Sequence, residues 1–423
     1  MKVFKFGGAS VNSAAAVKNM TGIIRGNFGE PLVVVISAMG KTTNLLEKLV
    51  PQNGTLPQNF KKNMTQLSDY HENIINDLFG DKAKPVAVKF GKILEQLKNQ
   101  IRTSSFDYNF NYDQIVSFGE IMSTTIVSEY LNFCGLDNTW FDVRTLIKTD
   151  ATYREGKVDW NLTQSAVNKV LVPFFASGKI AVTQGFIAGA TTGSTTTLGR
   201  EGSDYSASVL SYCLDAENMT IWKDVPGFLN ADPKFFDKTV KINRIPYNEA
   251  IELTYYGASV IHPKTLKPLQ NKNIQLRVKS FITPGDEGSV IGDFSQIDPL
   301  TPLYIFKKNQ VLLSILPKDF SFIAEESLQN IFGYFAHTGI KINLMQNSAL
   351  SFSVCVDYDE LIFDKLLPLL QKDFRVRYNT DLQLITMRYY DEHTIDAIVA
   401  GHKILLEQRS RSTTQIVIEE KKQ

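Results

Sequence analysis

Strands and helices that alternate from residue 1 to about residue 293 predict an α/β protein built on one large, mostly parallel sheet, followed by a smaller α+β region. Three observations carry this prediction. Leu32 to Ile36 is an unbroken, largely β-branched run, the pattern of a parallel strand buried on both faces. The strand-like stretches Lys2 to Phe6, Thr139 to Val143, Lys179 to Phe186 and Met219 to Trp222 are interleaved with helical spacing at Gln164 to Phe175, Tyr205 to Leu214 and Tyr247 to Tyr255. Past a stretch rich in Gly, Asp, Ser and Pro, Pro284 to Pro302, the order becomes β-α-β-β-α-β, a ferredoxin-like module.

At 423 residues the chain is long enough for two or three domains. A net charge of +1 gives no electrostatic reason for a nucleic acid or a membrane surface as partner. Cys134, Cys213 and Cys355 are too dispersed for a disulfide framework or a metal cluster, which fits a reducing cytosol. The N-terminus lacks the pattern of a signal peptide, and no apolar run approaches the length of a membrane span. The expectation is a cytoplasmic chain with no membrane partner.

Taken in order, the strand Lys2 to Phe6 ends on Gly7-Gly8 and a helical segment follows. That layout suits a phosphate site, because backbone donors approach closely where no Cβ intervenes. Lys5 adds a cation just before the glycines. The run Ser37-Ala38-Met39-Gly40-Lys41-Thr42-Thr43 follows the second strand. It contains Gly-Lys-Thr but has Val35 where a P-loop needs glycine, so it is read as a polar ligand loop at a strand's C-terminal end. Residues from about 54 to 113 are more polar, with helical spacing at Asn59 to Phe79 and Val86 to Ile101, and read as a helical insertion.

Ile115 to Leu131 is a further helical block in which Glu120 sits in a first turn. The stretch Thr195 to Ala207, TTTLGREGSDYSA, sets Arg200 between two glycines and places Ser203 and Asp204 just before an apolar helix, an N-cap signal. Lys223-Asp224 and Asp232-Pro233 follow the strand Met219 to Trp222, on turns fixed by proline and glycine. His262 has no metal-ligand partner four residues on and reads as structural.

In the C-terminal part, Val311 to Leu316, Lys341 to Met345 and Leu350 to Val356 read as strands, with helices at Glu325 to His337 and Asp359 to Gln371. Phe374 to Tyr378 and Leu382 to Tyr389 read as two more strands. A short helix at Ile395 to Val399 and a hairpin of Lys403 to Gln408 and Thr414 to Ile418 close the chain.

Four of these stretches together resemble the aspartate kinases of the amino-acid kinase family, over essentially the whole chain. Lys5-Phe6-Gly7-Gly8-Ala9-Ser10 looks like the N-terminal signature, with Ala9 where threonine is usual. Ser37 to Asn44 is similar to the second loop, and Ser117-Phe118-Gly119-Glu120 with Trp140-Phe141-Asp142-Val143 to the third. TTTLGREGSDYSA matches the fourth, with Glu201 where glycine is common. The resemblance implies a three-layer amino-acid kinase-like catalytic domain over 1–293, an ACT regulatory module over 303–380 and a shortened, degenerate second ACT module over 381–423.

It further implies ATP-dependent phosphorylation of the side-chain carboxylate of L-aspartate. Lys5, Gly7, Gly8 and Ser10 would hold phosphate, with Mg2+ carried mainly by the ATP phosphates and no protein metal site. Arg200 would clamp a substrate carboxylate, Glu120 and Asp204 would accept from its ammonium, and Ser37, Thr43 and Ser203 would complete the pocket. Lys5, Arg200 and Asp204 form the catalytic set. Lys223, Asp224, Asp232 and Lys264 would face the nucleotide, with Ser259 standing where some members carry lysine. A homodimer through the C-terminal modules and an amino-acid effector are implied as well. Asn343 and Ala349 occupy positions that tend to be acidic in lysine-sensing members, so weak or absent lysine inhibition is expected. The rival readings are another carboxylate kinase of the same fold and a catalytically dead amino-acid sensor.

Overall fold

The computed structural model describes residues 1–236, 238–258, 261–319 and 321–420. The chain forms two compact units. The first comprises Met1–Phe228, Lys241–Ile251 and 261–297, and the second comprises Leu229–Val240, 252–258 and 298–420.

An eight-stranded sheet organises the first unit. Its order from edge to edge is Arg244–Pro246, Ser289–Gly292, Gln275–Ser280, Asn218–Lys223, Lys2–Phe6, Leu32–Ile36, Ile180–Gln184 and Asn138–Phe141. Every pairing is parallel except Gln275–Ser280 with Ser289–Gly292. The all-apolar strand Leu32–Ile36 is fully buried, as the absence of a polar face requires. The helix Gly202–Cys213 packs on the three central strands, and Phe118–Phe133 packs toward the Asn138–Phe141 edge. The α/β class with helices layered on a large parallel sheet therefore holds.

The polar insertion consists of two long helices, Phe60–Phe79 and Lys84–Arg102. The block read as one helix from Ile115 is two, Tyr108–Val116 and Phe118–Phe133. Three short strands, Lys148–Thr149, Ile187–Ala190 and Thr195–Thr197, make a small second sheet that the sequence does not announce. His262 is structural: its ring caps the helix Pro263–Asn271 by accepting from the Lys264 N–H.

The second unit is a six-stranded antiparallel sheet in the order Ile342–Asn347, Phe352–Asp357, Leu303–Pro317, Phe374–Arg388, Thr413–Glu419, Ile404–Arg409. Val311, Leu313 and Ile315 alternate toward the helices Glu325–Thr338 and Glu360–Asp373, where they meet Ile331, Phe335, Phe363 and Leu366. Further along the sheet, Ile385, Met387, Ile416 and Ile418 pack on Ile395 of the short helix Glu392–Val399. This gives one complete ferredoxin-like module and one abbreviated module sharing a single sheet. The segment Leu229–Val240 joins this unit through stacking of Phe235 on Phe306 and of Phe236 on Tyr304. Among the described residues no helix is long and apolar enough to cross a membrane.

Candidate active site

A cavity of about 830 Å3 opens at the C-terminal ends of the central strands, and Lys5, Gly8, Ser37, Thr43, Glu120, Arg200, Ser203, Asp204 and Lys223 all line it. Strand alternation aims Lys5 out of one sheet face, while the parallel neighbour Asn218–Lys223 delivers Lys223 at its end. Both ammonium groups turn toward Asp204. Lys5 Nζ is 2.6 Å from one carboxylate oxygen and Lys223 Nζ is 3.9 Å from the other, with the Asp204 side chain 3% exposed. Gly7 lies against the Lys5 ammonium. At Gly8 a Cβ would meet the Ala38 carbonyl oxygen at 2.7 Å and that of Gly40 at 3.0 Å, so only glycine lets the two loops meet. The Gly40 N–H donates to the Gly8 carbonyl at 3.0 Å and closes that contact.

Ser203 and Asp204 do not cap a helix. The helix begins at Gly202, with Glu201 as its cap residue in a left-handed conformation (φ 52°) and without a side-chain cap bond. Asp204 is thereby free to bind the two lysines from inside the first turn, whereas a capping aspartate would spend its carboxylate on backbone N–H groups. The helix N-terminus also directs its positive end into the cavity.

The left-handed backbone explains why glycine is common at position 201. A residue with a Cβ there costs about 1–2 kcal/mol, and Glu201 Oε2 is buried without a hydrogen-bond partner. Glu201→Gly is expected to raise unfolding stability by about 1 kcal/mol after the entropy of the new glycine is deducted. Urea melts check this, and an unchanged midpoint would show that the position is unstrained.

Glu120, 2% exposed, sits in the first turn of Phe118–Phe133. One oxygen accepts the Ala38 N–H at 3.3 Å and the other is buried without a partner. Burial pushes its pKa up to about 8, against which the Ala38 bond works. A buried carboxyl with one unmet oxygen is poised for a cationic donor. Arg200 lies exposed at the cavity rim.

Several residues expected at the nucleotide do not line this cavity. The Ser10 hydroxyl is buried and donates to the Trp222 carbonyl at 3.4 Å. Lys264 reaches the Leu198 carbonyl at 3.0 Å and lies over the Tyr205 ring, so it braces the loop before Arg200; burial lowers its pKa. Asp224 is exposed and does not line the cavity. Asp232 belongs to the second unit, where its carboxylate accepts the Lys234 N–H at 2.9 Å. Ser259 lies outside the described residues.

Sequence reasoning missed the groups that hold the Thr195–Thr197 strand in place. Asp113, fully buried, accepts from the Thr197 N–H, the Thr197 hydroxyl and the Arg154 N–H at 2.8–2.9 Å. Gln114 bonds both the N–H and the carbonyl of Thr195, acting as a substitute strand partner. Asp142, quoted for the third motif, is gripped by Arg144, which also donates to Thr195 Oγ1 at 3.2 Å. Arg154 stacks over Tyr112 at the cavity wall and is a second exposed guanidinium there. The only sequence signal for these was a polar run between helical segments.

The amino acid kinase family model matches residues 1–280. Chloroplastic aspartokinase 1 of Arabidopsis thaliana is 31% identical over 373 residues, spanning 85% of this chain but 64% of that protein. The lysine-sensitive aspartokinase 3 of Escherichia coli K12 is 30% identical over 397 residues, spanning 91% of this chain and 86% of that one. Among solved structures, E. coli aspartokinase III in complex with aspartate and ADP superposes with a TM-score of 0.83 at 26% identity, over 99% of this chain and 96% of that one. With its four motifs converging on one cavity, this chain belongs to the aspartokinases of the amino acid kinase family.

Proposed function

We propose that the chain transfers the γ-phosphoryl group of ATP to the side-chain carboxylate of L-aspartate, giving 4-phospho-L-aspartate and ADP. The observation that carries this reading is the arrangement of charge in one cavity. Lys5 and Lys223 converge on Asp204, and Glu120 presents an unpaired buried oxygen to the same space. An ionised carboxylate is already a nucleophile, so the protein's task is alignment and neutralisation of phosphoryl charge. Lys5 and Lys223 supply that neutralisation. Asp204 is read as the residue that positions them, in place of the ammonium acceptor the sequence suggested, because both its oxygens face lysines. Glu120 takes the substrate ammonium, Arg200 a substrate carboxylate, and Ser37, Thr43 and Ser203 the remaining polar contacts.

Among the described residues no three His, Cys, Asp or Glu side chains converge as a metal site. A Mg2+ ion carried by the nucleotide would offset phosphate charge beside Lys5 and Lys223, the chain's own cations in the cavity. An ADP-release assay with L-aspartate, L-glutamate and N-acetylglutamate tests the reading. Turnover with aspartate alone supports it; turnover with either of the others, or with none, contradicts it.

The C-terminal unit is read as the pair of ACT modules that dimerises the chain and senses an amino acid. Its edge strand Ile342–Asn347 leaves Met345 51% exposed, and Leu350 in the turn that follows is 49% exposed, an edge that a second copy would cover. Light scattering is expected to give twice the 47.6 kDa chain mass, with Met345→Lys shifting it toward the monomer. The Asn343 amide is already engaged, accepting from Lys307 and donating to Gln310 and Asp357. A neutral, occupied side chain offers an effector ammonium little, so submillimolar lysine is expected to leave activity within a few per cent. Half-inhibition in that range would contradict this.

A further inference from the structure

The sheet face opposite Lys5 and Lys223 carries a second cavity, of about 600 Å3. Register places Arg277 beside Thr220 and Phe4, and Lys279 beside Trp222 and Phe6, so that these cations rise from an aromatic floor. The helix Ala14–Arg25 forms the facing wall. At Gly22 of that helix an added Cβ would meet nothing within 4 Å, so the wall is open where a side chain would otherwise fill it.

The floor has unmet polar demand. Trp222 is 4% exposed and stacked on Phe6, yet its Nε1–H is buried with no hydrogen-bond partner. Lys279 Nζ lies 5.3 Å from the centroid of the same ring. Burial, then repulsion from Arg277, lowers the Lys279 pKa, while Asp286 and Glu287 act on it from a distance in the opposite sense. Among the described residues neither Arg277 nor Lys279 forms an ion pair. At the rim, Lys18 reaches the Asp77 carbonyl at 3.4 Å, and Lys2 is paired with Glu30.

We propose that this cavity is a second, noncatalytic anion site that takes a small phosphate-bearing ligand between Arg277, Lys279 and the Trp222 Nε1–H. A phosphate offers several acceptor oxygens in different directions. It therefore satisfies a planar guanidinium, an ammonium and an indole N–H together, as a single carboxylate does less well. The volume exceeds that of one phosphate ion and suits a diphosphate or a phosphorylated metabolite.

Calorimetric titration of the full chain with inorganic pyrophosphate at fixed ionic strength, followed in parallel by tryptophan emission, tests this. Arg277→Ala/Lys279→Ala and Gly22→Leu are each expected to lose one binding equivalent per chain, or at least tenfold in affinity. The emission change at this site is expected to vanish in Trp222→Phe. Gly22→Leu keeps every charge and adds bulk at a helical position with open space, so its loss reports occlusion of the cavity. A parallel AMP titration separates a nucleoside phosphate, if AMP binds tighter, from a bare polyphosphate, if it binds weaker. Equal binding in the wild type and both variants overturns the site, as does a loss confined to the charge variant. These variants leave Lys5 and Lys223 untouched, so the outcome stands apart from the phosphoryl-transfer reading.

Discussion

Lys5→Ala is expected to lower kcat by about 100- to 1,000-fold, the usual cost of removing one preorganised group that stabilises transition-state charge. The KM for aspartate should move only a few-fold, because the Lys5 ammonium pairs with Asp204 and is assigned to the phosphoryl group, whereas the substrate ammonium is assigned to Glu120. The remaining lysine cannot compensate: Lys223 Nζ stands 3.9 Å from Asp204, against 2.6 Å for Lys5. Removing Lys5 also leaves a buried carboxylate poorly paired, so melts belong beside the kinetics. Steady-state rates on a variant shown to be folded decide the matter. Turnover within a few-fold of wild type would remove Lys5 from the chemistry.

The second large effect is the pH dependence of aspartate binding. The Glu120 carboxyl, raised by burial from its ordinary 4.5 to about 8, is protonated in the free protein at neutral pH. To accept an ammonium it must release that proton, so the KM for aspartate should fall about tenfold per pH unit as the pH rises toward about 8 and level off above it. Glu120→Gln should abolish the slope and raise KM by about 10- to 100-fold at high pH, the loss of one charge-assisted hydrogen bond.

Stability carries the same signature with a definite sign. The folded state binds the proton more tightly than the unfolded chain. This contribution is therefore fully present below about 4.5 and is lost as the pH rises to about 8. Ligand-free thermal melts should show a decline across that window in the wild type that is smaller in Glu120→Gln. A KM that is flat from pH 6 to 9 would contradict the assignment of Glu120 to the ammonium.

Those residues were legible in the sequence because their chemistry is local. Lys5 stands one residue before the end of a strand that runs into two glycines, and Glu120 opens a helix. Elements with an unambiguous pattern were legible for the same reason, as in the unbroken apolar strand Leu32–Ile36 and the long helix Phe60–Phe79. Boundaries failed where a tertiary demand overrode a local preference. Ser203 and Asp204 carry a strong cap signal, but the helix starts earlier, at Gly202, and its carboxylate goes to two lysines on distant strands.

The long strands of the C-terminal sheet were read in pieces. Leu303–Pro317 carries a polar irregularity at Lys307 to Gln310, with Asn309 in a left-handed conformation, and Phe374–Arg388 carries another at Asp381. Such stretches look like turns until a neighbouring strand pairs across them. Asp113 and Gln114 were invisible because their partners, Thr195 and Thr197, lie more than 80 residues away. The contact of the Lys264 ammonium with the Leu198 carbonyl was equally invisible, since 66 residues separate the two.

The central claim is that an acyl phosphate forms on the side-chain carboxylate of aspartate, and hydroxylamine trapping tests it most directly. With ATP, Mg2+ and L-aspartate the wild-type protein is expected to yield aspartate β-hydroxamate, identified by mass and fragmentation, with no hydroxamate from L-glutamate or N-acetylglutamate. Lys5→Ala should give the same product at a strongly reduced rate. A hydroxamate at the α-carboxyl, a product from glutamate in place of aspartate, or no product from any of the three would contradict the claim.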